Sequence, residues 1–285
     1  MNHSMINSSV SLHGLQQKLD ILAGNIANVN TTGYKKTQAS FEDVLTRVKS
    51  QPEDFRLPGR MTPLGLNQGY GARLVNMSKD MSQGSIQPTD NPLDFAVEGN
   101  GMFEIGVPSV DADGNPIVKP AWTKNGSFTI TLNQDREEVL TTKEGYAIYN
   151  TDDEQIIIPT NHRVQVDSSG RIYAYDKANE GAGPIDLGQM RIVRVVRPQL
   201  MRELADNLYE LPAGVNRDQV VSNVADEDPL NGEPIRVMQG FLEHSNVKLT
   251  DEMSELIMVQ RAFQLNSRAI SSSDTMMGLA NNLRG

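Results

Sequence analysis

The sequence predicts a mixed α and β fold with a mainly β central domain, sandwich or barrel-like, built of many short antiparallel strands. Long N- and C-terminal α-helices flank it and pair as a coiled coil. Three observations carry this expectation. Apolar residues recur on a 3.5-residue rhythm at both ends of the 285-residue chain. The middle alternates short β-rich runs with Gly-, Asn- and Asp-containing turns. No helical periodicity separates those runs, which argues against parallel crossover units. The organisation that follows is an N-terminal helix over 1–33, an extended or β arm over 34–85 and a β-rich central domain over 86–228. A connector over 229–249 then leads to a C-terminal helix over 250–285.

At the N-terminal end the seam reads Leu12, Leu15, Leu19, Leu22, Ile26 and Val29, with spacings that alternate between three and four. That spacing is a narrow apolar stripe facing a partner helix. No proline interrupts it. Gly14 and Gly24 weaken the helix by roughly 1 kcal/mol each relative to alanine. Asn28-Val29-Asn30-Thr31-Thr32-Gly33, a cluster of turn-forming residues, stops it. At the far end Thr250 is the expected N-cap, and Asp251 and Glu252 place negative charge on the first turn, where the helix dipole favours it. The stripe then runs Leu249, Met253, Leu256, Phe263, Ile270 and Met277, with the polar Gln260, Ser267 and Asp274 expected at the alternate seam positions. Polar interruptions of this kind specify register rather than maximise stability.

Between the ends, Phe95–Glu98 and the run 102–105 read as two short strands about Gly99-Asn100-Gly101. Asn125-Gly126 reads as a hairpin turn between Trp122-Thr123 and Phe128-Thr129-Ile130, because both turn residues tolerate a positive φ. Lys143-Glu144-Gly145 separates strands at 139–142 and 146–149. Further strands are expected at 155–158, 163–166, 171–175 and 189–196. Residues 50–71 carry three prolines and four glycines and should form a loosely ordered arm. Residues 216–234, with Asp226-Glu227-Asp228, should be a solvated link towards the last helix.

Composition excludes several kinds of chemistry. The formal net charge is −10, so no basic footprint for nucleic acid is expected. There is no cysteine, hence no disulfide, thiolate metal site or cysteine nucleophile. No run of 18 apolar residues exists that could insert into a membrane. The opening MNHSMINSSVSLHG has neither a basic nor an apolar leader segment, so no Sec signal is expected. The four histidines, at positions 3, 13, 162 and 244, share no ligand spacing. Asp111-Ala112-Asp113-Gly114-Asn115 starts like a calcium loop, but Trp122 stands where the bidentate glutamate is needed. Gly99-x-Gly101 lacks the third glycine and following helix of a phosphate cradle. Glu137-Glu138 and Asp152-Asp153 read as solvated turn residues rather than a general acid–base pair. No catalytic residue, metal or cofactor is therefore expected, and the chain reads as a non-enzyme.

Three groups of motifs, in order along the chain, resemble the flagellar rod and hook axial family. At the N-terminal end LDILAGNIANVNTTGYKKTQASFEDVL (19–45) contains Asn25-Ile26-Ala27-Asn28 and Thr32-Gly33-Tyr34-Lys35, followed by Phe41. In the middle stand NPLDFAVEGNGMFEI (91–105), WTKNGSFTI (122–130) and LTTKEGYAI (140–148). The closing segment 239–270 presents Glu243, Ser245-Asn246-Val247, Glu252-Met253 and Gln260-Arg261-Ala262-Phe263. Gly24, Met102, His244 and Lys248 depart from the usual pattern and bear on subtype and local packing.

The resemblance implies a structural subunit of the basal-body rod, of the distal-rod type, polymerising through its terminal helices. The expected product is a helical tube that transmits torque and encloses the export channel. Proximal rod or hook subunits of the same family are the alternative reading; a secreted adhesin or effector with coiled-coil ends is one from another class. A wall hydrolase would need a paired-carboxylate cleft, which the sequence does not show. The implied partners are further copies of the chain, other rod and hook axial subunits and the flagellar type III export apparatus. The implied location is the basal body, reached by export across the cytoplasmic membrane. The expected subunit-interface residues are Leu12, Leu15, Leu19, Leu22, Asn25, Ile26, Asn28, Val29, Met253, Leu256, Gln260, Phe263, Ile270 and Met277.

Overall fold

Both ends of the chain form the helices that their periodicity demands. The computed structural model describes residues 2–43, 47–49, 66–68, 72–110, 116–133, 136–178, 183–204, 207–212, 214–224 and 235–283. In it α1 spans Asn2–Ala27 and α2 spans Leu249–Asn282. The second helix starts one residue before the expected cap. The Lys248 carbonyl accepts the N–H groups of Asp251 at 3.0 Å and Glu252 at 3.1 Å, so Thr250 lies inside the first turn. Its own carbonyl accepts the Ser254 hydroxyl at 2.7 Å. A short hydroxylated side chain fits a cap or a first turn equally well, and sequence alone does not separate the two.

Two compact units result. One holds α1, α2 and the 37–78 segment, where strand Thr37–Asp43 pairs with Ala72–Lys79, and Arg47–Lys49 with Leu66–Gln68. The other holds residues 28–36 and 79–247 and is almost wholly β.

The main sheet of the β unit has ten strands. At its centre Gly101–Val110 pairs along its length with Pro116–Thr123. On the other side it pairs with Ile192–Val195 and Ala147–Ile148. Glu138–Thr142 then joins Ala147–Ile148 to Phe128–Leu132 and Ile157–Ile158. A three-stranded meander, His162–Val166, Arg171–Asp176 and Ile185–Gln189, contributes Val164 and Ile172 to the same core. Phe95, Phe103 and Phe128 lie at the centre of that core, all fully buried. The rings of Phe103 and Phe128 meet edge to face at 5.2 Å, a favoured aromatic geometry.

The Lys143-Glu144-Gly145 hairpin forms as expected, with Gly145 at φ 89° and the Thr142 N–H bonded to the Tyr146 carbonyl at 2.8 Å. Two other expected hairpins do not form. Phe95–Glu98 pairs with Arg236–Gln239, more than 130 residues away, and not with the strand that follows it. Asn125-Gly126 joins strands that pair elsewhere, Pro116–Thr123 with Gly101–Val110 and Leu208–Glu210, and Phe128–Leu132 with Glu138–Thr142. The glycine is needed at 126 for another reason. A Cβ there would stand 1.6 Å from the Phe95 carbonyl oxygen, and the two backbones cross with a 2.9 Å bond from the Phe95 N–H to the Gly126 carbonyl. Close approach, not positive φ, is what this Asn-Gly supplies.

The stretch expected as a connector over 229–249 carries two strands, Arg236–Gln239 and Phe241–Glu243. Val237 is buried in the core, and Phe241–Glu243 pairs with Ile86–Pro88. Short pairings of this kind are held by partners distant in sequence, so local pattern does not reveal them. The possible calcium loop at 111–115, the arm at 50–65 and the acidic run at 226–228 lie outside the described residues.

Candidate functional site

The two terminal helices pack on one another antiparallel, the end of α1 beside the start of α2. Asn25 organises the junction. Its side chain is fully buried; its Nδ2 donates to Glu252 Oε2 at 3.0 Å and to the Thr37 carbonyl at 3.0 Å, and its Oδ1 accepts the Thr37 N–H at 2.9 Å. One amide thus ties the helix, the strand after it and the last helix together. One helical step outwards, Lys18 Nζ lies 2.5 Å from Glu255 Oε1 and 5.8 Å from the centre of the Phe41 ring.

Of the expected interface residues, Leu22 and Asn25 are buried within this pair. Leu12, Leu15, Leu19, Ile26, Asn28 and Val29 are half-buried, as are Leu256, Phe263, Ile270 and Met277. Met253 and Gln260 are exposed. On α2 the buried or half-buried residues include Glu252, Leu256, Val259, Phe263, Asn266, Ile270, Ser273 and Met277, with Glu255 and Ala262 half-buried beside them. Four of these match the expected stripe. The alternate positions fall one residue earlier than expected, at Val259, Asn266 and Ser273 in place of Gln260, Ser267 and Asp274. Steps of three then four, or four then three, both average 3.5, so periodicity fixed half of the seam and left the other half ambiguous.

The opposite face of α2 is also apolar. Met258, Leu265 and Leu279 stand at intervals of seven and fourteen residues and are 63%, 65% and 60% exposed. Seven residues make two turns, so the three share one face. Met253, Ile257 and Met276 extend the exposed apolar area.

Inside the β unit is a buried ionic node that sequence reasoning missed. Glu243 Oε1 accepts from Lys35 Nζ at 2.6 Å and from the Gly84 N–H at 2.9 Å, and Lys124 Nζ lies 3.2 Å from Glu243 Oε2. All three side chains are 3% exposed or less. Lys35 Nζ also donates to the Ser82 carbonyl at 2.7 Å, and Lys124 Nζ to those of Gly99 at 2.6 Å and Val97 at 3.1 Å. Burial lowers the Lys124 ammonium to a pKa of about 8; the charge of Glu243 opposes that shift and the charge of Lys35 adds to it. Gly33, at φ 71°, sits with its N–H on the Glu243 carbonyl at 2.8 Å, and a Cβ there would meet the Asn125 backbone at 2.6 Å. The quoted motifs Thr32-Gly33-Tyr34-Lys35, Trp122-Thr123-Lys124-Asn125-Gly126 and Glu243-His244-Ser245-Asn246 therefore converge in space. Their presence as separate charged and glycine-bearing motifs was the available signal.

A second polar group pins the main sheet beside a concavity of about 360 Å³ lined by Glu104, Tyr149, Asp153, Arg191 and Arg217. Glu104 accepts from Trp122 Nε1 at 3.0 Å, Arg217 at 2.7 Å and Arg191 at 3.3 Å. The Arg191 guanidinium also binds Asp153 and holds its carboxyl below the ordinary range. Both Glu104 oxygens are thus committed to bracing the sheet.

Comparison with known proteins gives these features a context. Residues 238–283 match the flagellar basal body rod FlgEFG protein C-terminal family, and residues 12–35 match the flagella basal body rod protein family. The flagellar basal-body rod protein FlgG of Borreliella burgdorferi is 31% identical over 288 residues, covering 100% of this chain and 99% of its own. The chain belongs to the flagellar basal-body rod protein family. FlgG of Bacillus subtilis is 31% identical and the flagellar hook-basal body complex protein FlhP of the same organism 30% identical, both with full coverage of each chain. The protein is a structural subunit of the flagellar basal-body rod, of the distal FlgG type, and it assembles with other rod and hook components. The two family segments hold residues 12–27 of α1 with Lys35, and α2 with Glu243, while Lys124 and Thr37 lie outside them. No described helix is long and apolar enough to cross a membrane.

Proposed function

We propose that the subunit polymerises through its terminal helices, which pair as a coiled coil within the chain and dock on the helices of neighbouring copies. The product is a helical tube that transmits torque and encloses the export channel. The chain reaches it through the flagellar type III export apparatus and catalyses no reaction. The outward seam of α2 supports this reading most directly. Met258, Leu265 and Leu279 form an apolar stripe on the face away from α1, and an exposed stripe of this kind is an interface waiting for a partner. Contacts between unlike faces that do not close into a ring extend into a filament. The interface residues are then of two kinds. Leu22, Asn25, Leu256, Phe263, Ile270 and Met277 build the intrachain pair, while Met253 and Gln260 are exposed on the flank between the two faces.

Leu265→Asp tests the proposal. The side chain is exposed, so the thermal midpoint should move by less than the equivalent of about 0.5 kcal/mol, while rod assembly and swimming are lost. Normal swimming in this variant overturns the reading. Removal of residues 250–283 should leave a soluble β unit that does not assemble; retained motility after that truncation would favour the secreted-adhesin alternative.

A further inference from the structure

The outward stripe of α2 carries sulfur as well as hydrocarbon. Met276 follows Met258 by 18 residues. That is five whole turns, so both thioethers stand at one angle on the helix, about 27 Å apart along its axis. Met258 is 63% exposed and Met276 is 51% exposed, and Leu265 and Leu279 complete the stripe. Leu256, Val259, Phe263 and Ile270 are the buried or half-buried residues of the intrachain side. Neither sulfur belongs to that group.

Methionine and leucine pack alike but do not react alike. Peroxides oxidise an accessible thioether to the sulfoxide. A sulfur lone pair takes one oxygen of hydrogen peroxide, the O–O bond breaks as the S–O bond forms, and the second oxygen leaves as water. Sulfur loses two electrons and the peroxide gains them. The sulfoxide is polar and accepts hydrogen bonds, so an apolar partner surface that covers it leaves it unsatisfied. Met102 and Met190, in the core of the β unit, are buried and out of reach of the oxidant in the folded chain.

We propose that Met258 and Met276 form a paired oxidation site that makes assembly sensitive to peroxide. A free subunit with sulfoxides at both positions is excluded from the polymer, whereas an assembled subunit shields the same two sulfurs. The inference rests on the docking of the outer α2 face on neighbouring copies. Oxidation leaves the subunit folded, because an exposed side chain contributes little to the stability of its own chain. The loss falls on association, and it is reversible, since methionine sulfoxide reductases restore the thioether.

The test begins with the purified full chain, treated with hydrogen peroxide, quenched with catalase and mapped by peptide mass spectrometry. Sulfoxide should appear at Met258 and Met276 well before Met102 and Met190. In purified basal bodies the same treatment should spare Met258 and Met276. Resistance of the two residues in the free chain, or equal oxidation in free chain and basal bodies, overturns the proposal. Combining Met258→Gln with Met276→Gln places a polar, oxygen-bearing side chain of similar length at both positions. That variant should lose swimming while its thermal midpoint stays within about 2 °C of the parent. Leu265→Asp separates this inference from the reading beneath it. If Leu265→Asp is immotile and the glutamine pair swims normally, the oxidation site is overturned and the docking face stands. If both swim, the docking face falls and the oxidation site with it. The peptide maps decide the matter even if the glutamine pair fails to fold.

Discussion

Around Glu243 two ammoniums and a carboxylate are hidden together, whereas along α2 the largest apolar side chains are left in the open. The β unit buries polar groups and gives them partners; the helix pair buries a polar amide, Asn25, and exposes Met258, Leu265 and Leu279. Ordinary folding does the reverse in both places. The contrast shows which part of the molecule is complete by itself. A buried ion pair contributes little net stability, but it is strongly destabilising to break, which makes the β unit intolerant of partial disruption. An exposed apolar seam has little effect on the subunit's own stability, and its burial becomes favourable only when another surface covers it.

That contrast can be broken from the β side first. Glu243→Gln removes the buried carboxylate that both ammoniums face, and about 3–5 kcal/mol of stability should go with it. The sole tryptophan, Trp122, is buried in the β unit, so its fluorescence in a urea titration reports that unit directly. An unchanged midpoint would mean that the node is not ionic.

Next in size is a pH effect. Folding lowers the Lys124 pKa from 10.5 to about 8, so between these values the unfolded chain holds the additional proton. Stability should therefore rise as pH increases through 8 towards 10.5, by on the order of 3 kcal/mol. Lys124→Met should flatten that rise.

The helix side offers the smallest and sharpest comparison. Val259 is 5% exposed and Gln260 is exposed, although the two are adjacent and either satisfies a 3.5-residue repeat. Val259→Ala should cost about 2 kcal/mol from lost apolar burial, read from the helical circular dichroism signal, while Gln260→Ala should stay within about 0.5 kcal/mol. Equal losses would put the intrachain seam back on the register that periodicity alone suggested.

The parts of this fold that could be read in the sequence were those that depend on near neighbours. Both terminal helices, the Lys143-Glu144-Gly145 hairpin and the strands His162–Val166 and Arg171–Asp176 follow from local periodicity and turn chemistry. What escaped was set at a distance. Gly126 is a glycine because the backbone of Phe95 passes against it, and nothing near position 126 records that. Phe95–Glu98 finds its partner in Arg236–Gln239. Lys35 and Glu243 lie 208 residues apart; each belongs to a recognisable motif, but their burial as a pair depends on the folded topology. The residues expected at a subunit interface were drawn from a stripe on each terminal helix, and most of them are buried or half-buried while Met253 and Gln260 are exposed.

The Lys35–Glu243 pair and the bond from Gly33 to the Glu243 carbonyl place the two segments by which the chain enters and leaves the β unit side by side. Viewed mechanically, this is a short circuit. A pull on residues 28 and 247 is borne by a handful of bonds at the mouth of the unit, while the roughly two hundred residues looped beyond them stay out of the load path. The size of that loop is also invisible from its ends. Strands could be added to or removed from the far side of the sheet without altering the spacing at which the chain leaves, so a protein of this plan can vary its outer β layer while its fastening stays the same.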